Sequence, residues 1–382
     1  MYAWLRHARI LLLVLTLGVV GAATYATPAA AKTAPALEKV VAAGFPGAVA
    51  VDRVGRDVEI SAAGVADVRT GRKAKAGDRF RIGSVTKPMV STVVLQLVAE
   101  RQVSLDARVA KLLPGVGLDE RITVRHLLQQ TSGFHTDTYV FQPPRSIDAN
   151  RYRHFTPREL VKIALTNPAP RATPGTKWEY SNTNYVLAGM VVERVTGNRV
   201  ERELERRIFR PLRLKDTSFP RASTFIHGRH LRGYLQDETG KATLDYTDYN
   251  MSWAWSAGAV VSTVADETAF LRGLFTGKLL PKSLLAKMMD DGKFGYGLGL
   301  YAMPAPCVPG GLVWGHNGQV FGYQSAVFST PDGKRQIAVG ANAWILNEEG
   351  GGLHPIVDQT AAGSFCPNSG QSSRMMSKLL AR

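Results

Sequence analysis

Apolar and polar positions give the chain several stretches of different rhythm. An apolar stretch over residues 10 to about 23 follows Arg6, His7 and Arg9. Residues 47–51 and 58–60 then read as short β segments, followed by 64–70 and a turn at Gly71, the pattern of an antiparallel meander. Phe80-Arg81-Ile82-Gly83 leads straight into an apolar-periodic run over residues 84–100, with Pro88 in the first turn, where its missing N–H is tolerated. A buried helix opening at Ser84 is predicted. From about residue 105 to 250 the pattern is helical and loop-rich. Thr156-Pro157-Arg158-Glu159 supplies a cap, a first-turn proline and a capping-box glutamate ahead of residues 160–165, and another helix is predicted over 185–195, stopped by Gly197. Beyond Trp255, helices are predicted near 265–275 and 283–289 and strands over 295–301, 312–315, 323–329 and 335–342. Pro331-Asp332-Gly333 turns the last two strands into a hairpin, and a closing helix is predicted near 353–362.

Strand patterns at both ends and helical patterns between them imply an α/β (α+β) fold. An antiparallel β-sheet is assembled from residues 32–100 and 255–366 and flanked by helices, with an inserted all-helical subdomain over the mainly helical interval 101–254. Residues far apart in sequence then meet in the cleft between the two parts. The polar stretch 367–382 is expected to be a disordered tail.

Composition changes the picture in three places. The charged start, the apolar run and Thr27-Pro28-Ala29-Ala30-Ala31 have the form of an export signal cut after Ala31, so a secreted chain is expected. A membrane anchor is the other use of such a segment, but about 14 apolar residues are short for a bilayer span. In an oxidising compartment the two cysteines, Cys307 and Cys366, are expected to be bridged, with two buried thiols as the alternative; without a nearby His cluster they do not make a metal site. The formal charge of +16 suits an anionic cell wall or membrane surface in an exported protein, or it simply reflects Arg-rich exposed helices. No zinc finger, RNA-binding signature or heptad run points to nucleic acid, and no ligand cluster or phosphate-cradling loop implies a metal or cofactor. A monomer is expected.

Three short patterns carry chemistry. Ser84-Val85-Thr86-Lys87 spaces a hydroxyl and an amine by three residues, so on a helix both lie on one face and the amine can serve the hydroxyl as base or proton relay. Tyr180-Ser181-Asn182 offers a phenol that can take and return a proton and an amide that can orient a carbonyl and the lysine; a buried tyrosine beside a helix cap has the same letters. Trp314-Gly315-His316-Asn317-Gly318-Gln319 offers an imidazole, a glycine that lets a ligand approach a strand closely, and a following N–H suited to an oxyanion; a solvated strand-edge histidine is the plainer reading.

In that order, with about 95 and about 135 residues between them, these motifs resemble the serine D-alanyl-D-alanine carboxypeptidase and class C β-lactamase family of penicillin-recognising enzymes. The resemblance spans roughly residues 44–366 and includes His126-Leu127-Leu128, Thr131-Ser132-Gly133, Ser252-Trp253-Ala254-Trp255-Ser256-Ala257-Gly258 and Gly295-Tyr296-Gly297-Leu298-Gly299-Leu300. It is similar above all to the secreted actinomycete D,D-carboxypeptidase branch, in which a histidine replaces the lysine of K-T-G and a late disulfide occurs, matching His316 and the Cys307/Cys366 pair. The resemblance implies that Ser84 forms an acyl-enzyme, Lys87 and Tyr180 move the proton and Asn182 positions the substrate amide. It places the oxyanion hole at the backbone N–H groups of Ser84 and Gln319, with His316, Asn317 and Gly318 framing the strand. Trp253 is then an aromatic wall of the cleft, or alternatively core packing. Peptidoglycan stem peptides or other small acyl compounds are the implied substrates, and β-lactams the covalent inhibitors. One departure counts against strict carboxypeptidase action: Tyr301 and Asn317 stand where an arginine and a threonine suited to a terminal carboxylate are expected. A class C-like β-lactamase, a D-aminopeptidase and an esterase share the nucleophile, and a non-catalytic wall-binding or β-lactam-sensing protein is the alternative of another class. His316, if unperturbed, titrates near 6.5, so a pH-dependent acylation sensitive to His316→Lys is expected.

Overall fold

The computed structural model describes residues 33–135, 145–167, 169, 171–237, 240–292, 294–345 and 354–366. The expected export signal and the polar tail lie outside the described residues.

Seven antiparallel strands form the main sheet, in the spatial order Arg72–Lys73, Asp57–Asp67, Gly47–Val54, Arg335–Ala341, Tyr323–Ser329, Leu312–Val320 and Tyr301–Pro304. The two ends of the sequence meet at its centre, where Ala50 lies opposite Val339. Successive side chains of a strand point to opposite faces, and both faces here are covered, so the central strands read as near-continuous apolar runs. Ala48 and Ala50 join one core layer with Leu37, Val357 and Phe365. Val49 and Val51 join the other, with Val90, Leu271 and Leu274. The first layer lies under the helices Ala34–Ala42 and Ile356–Phe365, and the second under Thr86–Ala99 and Val264–Phe275.

Most predicted elements form within a few residues of their expected limits, for local reasons. Thr156 and Glu159 exchange both capping-box hydrogen bonds at the start of Pro157–Leu165. Gly197, in the left-handed region, ends Asn182–Thr196. Three differences stand out. The helix Ala34–Ala42 was not expected: it is only nine residues long and buries just Leu37 and Val40, too short a stretch for its period to stand out. The strand expected over 295–301 begins only at Tyr301, because Gly297 N donates back to Leu300 O at 2.8 Å and Leu298 N to Met288 O at 3.0 Å, folding this segment into turns. The interval expected to be all-helical also carries the strands Tyr234–Gln236 and Ala242–Asp245, the first of them paired in parallel with Ala343–Trp344. Strands of three and four residues leave no readable alternation.

Cys307 and Cys366 lie with their Cα atoms 5.5 Å apart, one in the loop after Tyr301–Pro304 and the other at the end of the closing helix.

Candidate active site

The site is built around the junction of a strand, a turn and a helix. Phe80–Arg81 runs through a single 3-10 turn, Gly83–Val85, into Thr86–Ala99, so Ser84 sits in that turn one step ahead of the helix. Two glycines let the strand Leu312–Val320 lie flush against this junction. A Cβ on Gly318 would stand 2.0 Å from Ile82 O, and one on Gly83, whose φ is +53°, would stand 2.9 Å from Gln319 N. The close approach at Gly318 is therefore to the protein's own chain, where a ligand was expected. Ser325 Oγ, donating to Ile82 O at 2.9 Å, pins the same contact.

Lys87 lies one helical turn beyond Ser84 and is wholly buried. Its Nζ is 2.8 Å from each of three oxygens: Ser84 Oγ, Asn182 Oδ1 and the Ala257 carbonyl. Asn182 is the first residue of Asn182–Thr196, and Ala257 closes the 3-10 turn Trp255–Ala257, so three separate elements converge on one nitrogen. Two of the partners are carbonyl oxygens that only accept, and the third is a hydroxyl that donates or accepts. The same geometry therefore serves an ammonium donating three bonds and a neutral amine donating two while accepting from Ser84.

Tyr180 completes the group. Burial pushes its phenol above the usual tyrosine range, and a hydrogen bond with Ser84 pulls the other way. The hydroxyl is thus held protonated at neutral pH, and Lys87 Nζ lies 4.8 Å from the Tyr180 ring centroid.

His316 is buried behind this group, its ring 6.2 Å from that of Tyr180. It bonds to Tyr296, with Nε2 3.1 Å from Tyr296 Oη. Nδ1 faces the Asn317 carbonyl and must carry a hydrogen there, so Nε2 of the neutral ring accepts from Tyr296. Burial first, and the Lys87 charge second, push the imidazole down to about 3. A group so lowered stays neutral above about pH 4, unlike the unperturbed imidazole, which titrates near 6.5. The Nδ1 and Nε2 NMR shifts of His316 are expected to stay flat from pH 5 to 8; a midpoint near 6.5 would refute the assignment.

The strand edge facing Ser84 follows from register. Val320 and Tyr323 close the hairpin around a two-residue turn and exchange both ladder bonds, so Gly318/Ser325 and His316/Val327 do the same. The N–H groups of Asn317 and Gln319 then point to the opposite edge, where Tyr301–Pro304 covers only Leu312–Gly315. The Tyr301 hydroxyl lies on that side, its phenol pushed well above the usual tyrosine range first by burial. The Gln319 nitrogen lies alongside Gly83, the residue before Ser84.

Of the residues singled out by sequence, Ser84, Lys87, Tyr180, Asn182, His316, Gly318 and Gln319 come together here. The Asn317 side chain instead donates to Asp358 on the closing helix at 2.9 Å. Trp253 is half-buried and packs on Phe321, just past Gln319, with ring centroids 5.4 Å apart; Phe321 in turn stacks on Trp344. Sequence reasoning gave no role to the Ala257 carbonyl, Tyr296 or Asp358, although Ala257 and Tyr296 lie inside segments that carried the family resemblance.

The family model described as Beta-lactamase matches residues 32–362. The solved structure of a D-stereospecific amidohydrolase from Streptomyces sp. is similar, with a TM-score of 0.77 and 37% identity over 90% of this chain and 100% of that one. D-amino acid amidase from Ochrobactrum anthropi SV3, complexed with L-phenylalanine, has a TM-score of 0.76 and 26% identity over 87% of this chain and 96% of that one. Among curated proteins, Esterase EstB of Burkholderia gladioli is 35% identical over 187 residues, 45% of this chain and 47% of the esterase. The chain spans about half to two thirds of the length of the curated relatives it matches.

Proposed function

Because this chain belongs to the Beta-lactamase family, we propose that it is a serine hydrolase of D-configured acyl amides, D-alanyl peptides of peptidoglycan being the natural substrate class. One observation carries the reading: a buried amine 2.8 Å from Ser84 Oγ, with the Asn182 and Ala257 carbonyl oxygens also 2.8 Å from it. That arrangement makes a serine hydroxyl into a nucleophile. The similarity to a D-stereospecific amidohydrolase supports the amide and its D configuration. A protein that only bound wall peptides or β-lactams would have no use for this lysine contact.

The steps follow from the contacts. Neutral Lys87 takes the Ser84 proton as Oγ bonds to the acyl carbon, and the new oxyanion is held by the N–H groups of Ser84 and Gln319. The Tyr180 hydroxyl gives its proton to the leaving nitrogen as the C–N bond breaks, and regains one from Lys87 through the hydrogen-bonded group. Water then enters where the amine left, loses a proton to the same relay, and releases the acid with Ser84 restored. Asn182, held by Lys87, orients the acyl amide, and Trp253 walls the cleft.

Benzylpenicillin opens without losing a leaving group, so one whole antibiotic mass should add to the wild-type protein, on the peptide containing Ser84. D-amino acid amides should be hydrolysed well ahead of their L enantiomers. Absence of both an adduct and any D preference would overturn the proposal.

Export with cleavage after Ala31, peripheral attraction of the +16 chain to an anionic wall, a monomeric state and a Cys307–Cys366 bridge belong to the same reading. Such a bridge would stabilise the fold by about 4 kcal/mol on the loop-entropy model. The secreted protein should begin at Lys32 and show no free thiol when unfolded without reductant; a free pair would remove the bridge.

A further inference from the structure

Tyr180 belongs to an irregular stretch, residues 177–181, between the turn at Gly175 and the helix Asn182–Thr196. A phenol that must meet both Ser84 Oγ and a leaving nitrogen needs its main chain held, and here one buried residue does so. The Glu179 N–H donates to Gln130 O at 2.9 Å, and the Ser181 N–H donates to Gln130 Oε1 at 3.1 Å. Both neighbours of Tyr180 are thus tied to the same glutamine, one through its main chain and the other through its side chain. Gln130 is fully buried. Its Oε1 also accepts from Asn184 Nδ2, in the first turn of that helix, at 2.6 Å, and Asn184 Oδ1 accepts from Ser132 Oγ. Two donors on Oε1 leave the Gln130 amide a single orientation.

The backbone at Gln130 shows that the side chain matters here. The short helix Val124–Leu128 ends in a Schellman turn, in which the Thr131 N–H donates to His126 O at 2.9 Å and the Gln130 N–H to Leu127 O at 3.3 Å. Gln130 takes the left-handed position of this turn, with φ +60°, where glycine is the usual residue because a Cβ is disfavoured. A glycine would make the same turn with less strain and would keep the bond from Glu179. What glutamine adds is Oε1, the atom that carries the contact past Tyr180 to Ser181.

We propose that Gln130 is a positioning residue for the proton transfer made by Tyr180: its side-chain oxygen fixes the main chain beyond the tyrosine, so that the phenol is aimed at the leaving nitrogen. This rests on the acyl-enzyme reading. The loss should then fall on bonds whose cleavage needs the phenol. In an amide, the C–N bond breaks as the nitrogen takes the Tyr180 proton. In a p-nitrophenyl ester, the C–O bond breaks and p-nitrophenolate leaves with the electron pair, unprotonated. Lys87 takes the Ser84 proton in both.

The test compares kcat/KM for N-acetyl-D-alaninamide and for the p-nitrophenyl ester of N-acetyl-D-alanine, in the wild type, Gln130→Gly and Gln130→Met, each also in a Tyr180→Phe background, with Ser84→Ala alongside. Glycine keeps the turn and removes the side chain; methionine keeps the bulk and removes the acceptor. Both variants are expected to lower the amide value by on the order of ten- to a hundredfold, the scale of a small misplacement of a reacting group, and to leave the ester value nearly unchanged. In Tyr180→Phe the same substitutions should cost the amide little more. The amide-to-ester ratio cancels any general loss of folded protein. No loss, an equal loss on both substrates, or an undiminished further loss in Tyr180→Phe overturns the inference and leaves the acyl-enzyme reading standing. Turnover that survives Ser84→Ala, or a wild type inert towards both substrates, removes that reading and the inference with it.

Discussion

Ser84→Ala is expected to abolish the penicillin adduct and to lower amide turnover by on the order of 10⁶-fold, the scale seen when a serine nucleophile is deleted from an otherwise intact site. The size of the effect follows from what remains. Lys87 is buried, with Asn182 Oδ1 and the Ala257 carbonyl still holding it, and Tyr180 keeps a phenol raised by burial, so neither offers a ready nucleophile at neutral pH. The fold should survive. Ser84 is only half-buried, and the main structural loss is one hydrogen bond of the lysine, a cost of roughly 1–3 kcal/mol if no water replaces the hydroxyl. Rates measured beside thermal unfolding separate the two effects. A variant that kept its adduct would place the nucleophile elsewhere, and the acyl-enzyme reading would fall.

What the sequence disclosed about this site depended on how local each contact is. Ser84 and Lys87 are three residues apart at a helix start, and their meeting can be read from spacing alone. The approach of Asn182 to Lys87 spans 95 residues: the amide's chemistry suggested it, and the family resemblance brought the two motifs together. The Ala257 carbonyl is main chain, so no side-chain letter marks it. Asn317 was expected to frame the substrate, yet strand alternation puts it on the face opposite His316 and Gly318, towards the closing helix and Asp358. The two-residue period held that information. Its partner was not legible, because a single aspartate in a helix that otherwise buries Val357, Ala361 and Phe365 reads as an ordinary polar position. The low pKa of His316 was hidden for a related reason: it comes from burial and from Lys87, more than 200 positions away in the chain.

Lys87→Met should slow acylation by on the order of 10²–10⁴-fold, the usual contribution of a positioned acid or base. Methionine fills similar volume without a donor, so Asn182 Oδ1 and the Ala257 carbonyl also lose their partner, and a rate loss alone would not separate proton transfer from positioning. Lys87→Arg makes that distinction, because a guanidinium keeps the charge and the donors but does not give up its proton to become a base. If Lys87 works as a base, arginine should be about as slow as methionine; if it serves only as a fixed cation, arginine should restore much of the rate. His316 reports whether the cation is in place. Its imidazole is lowered first by burial and then by the Lys87 charge, so in Lys87→Met its titration should move up from about 3 while staying below 6.5. In Lys87→Arg, with the charge retained, it should stay near the wild-type position. An arginine variant that is slow while His316 remains depressed therefore assigns the loss to the missing base, and an active one reassigns Lys87 to electrostatics and leaves Tyr180 as the group that must take the Ser84 proton.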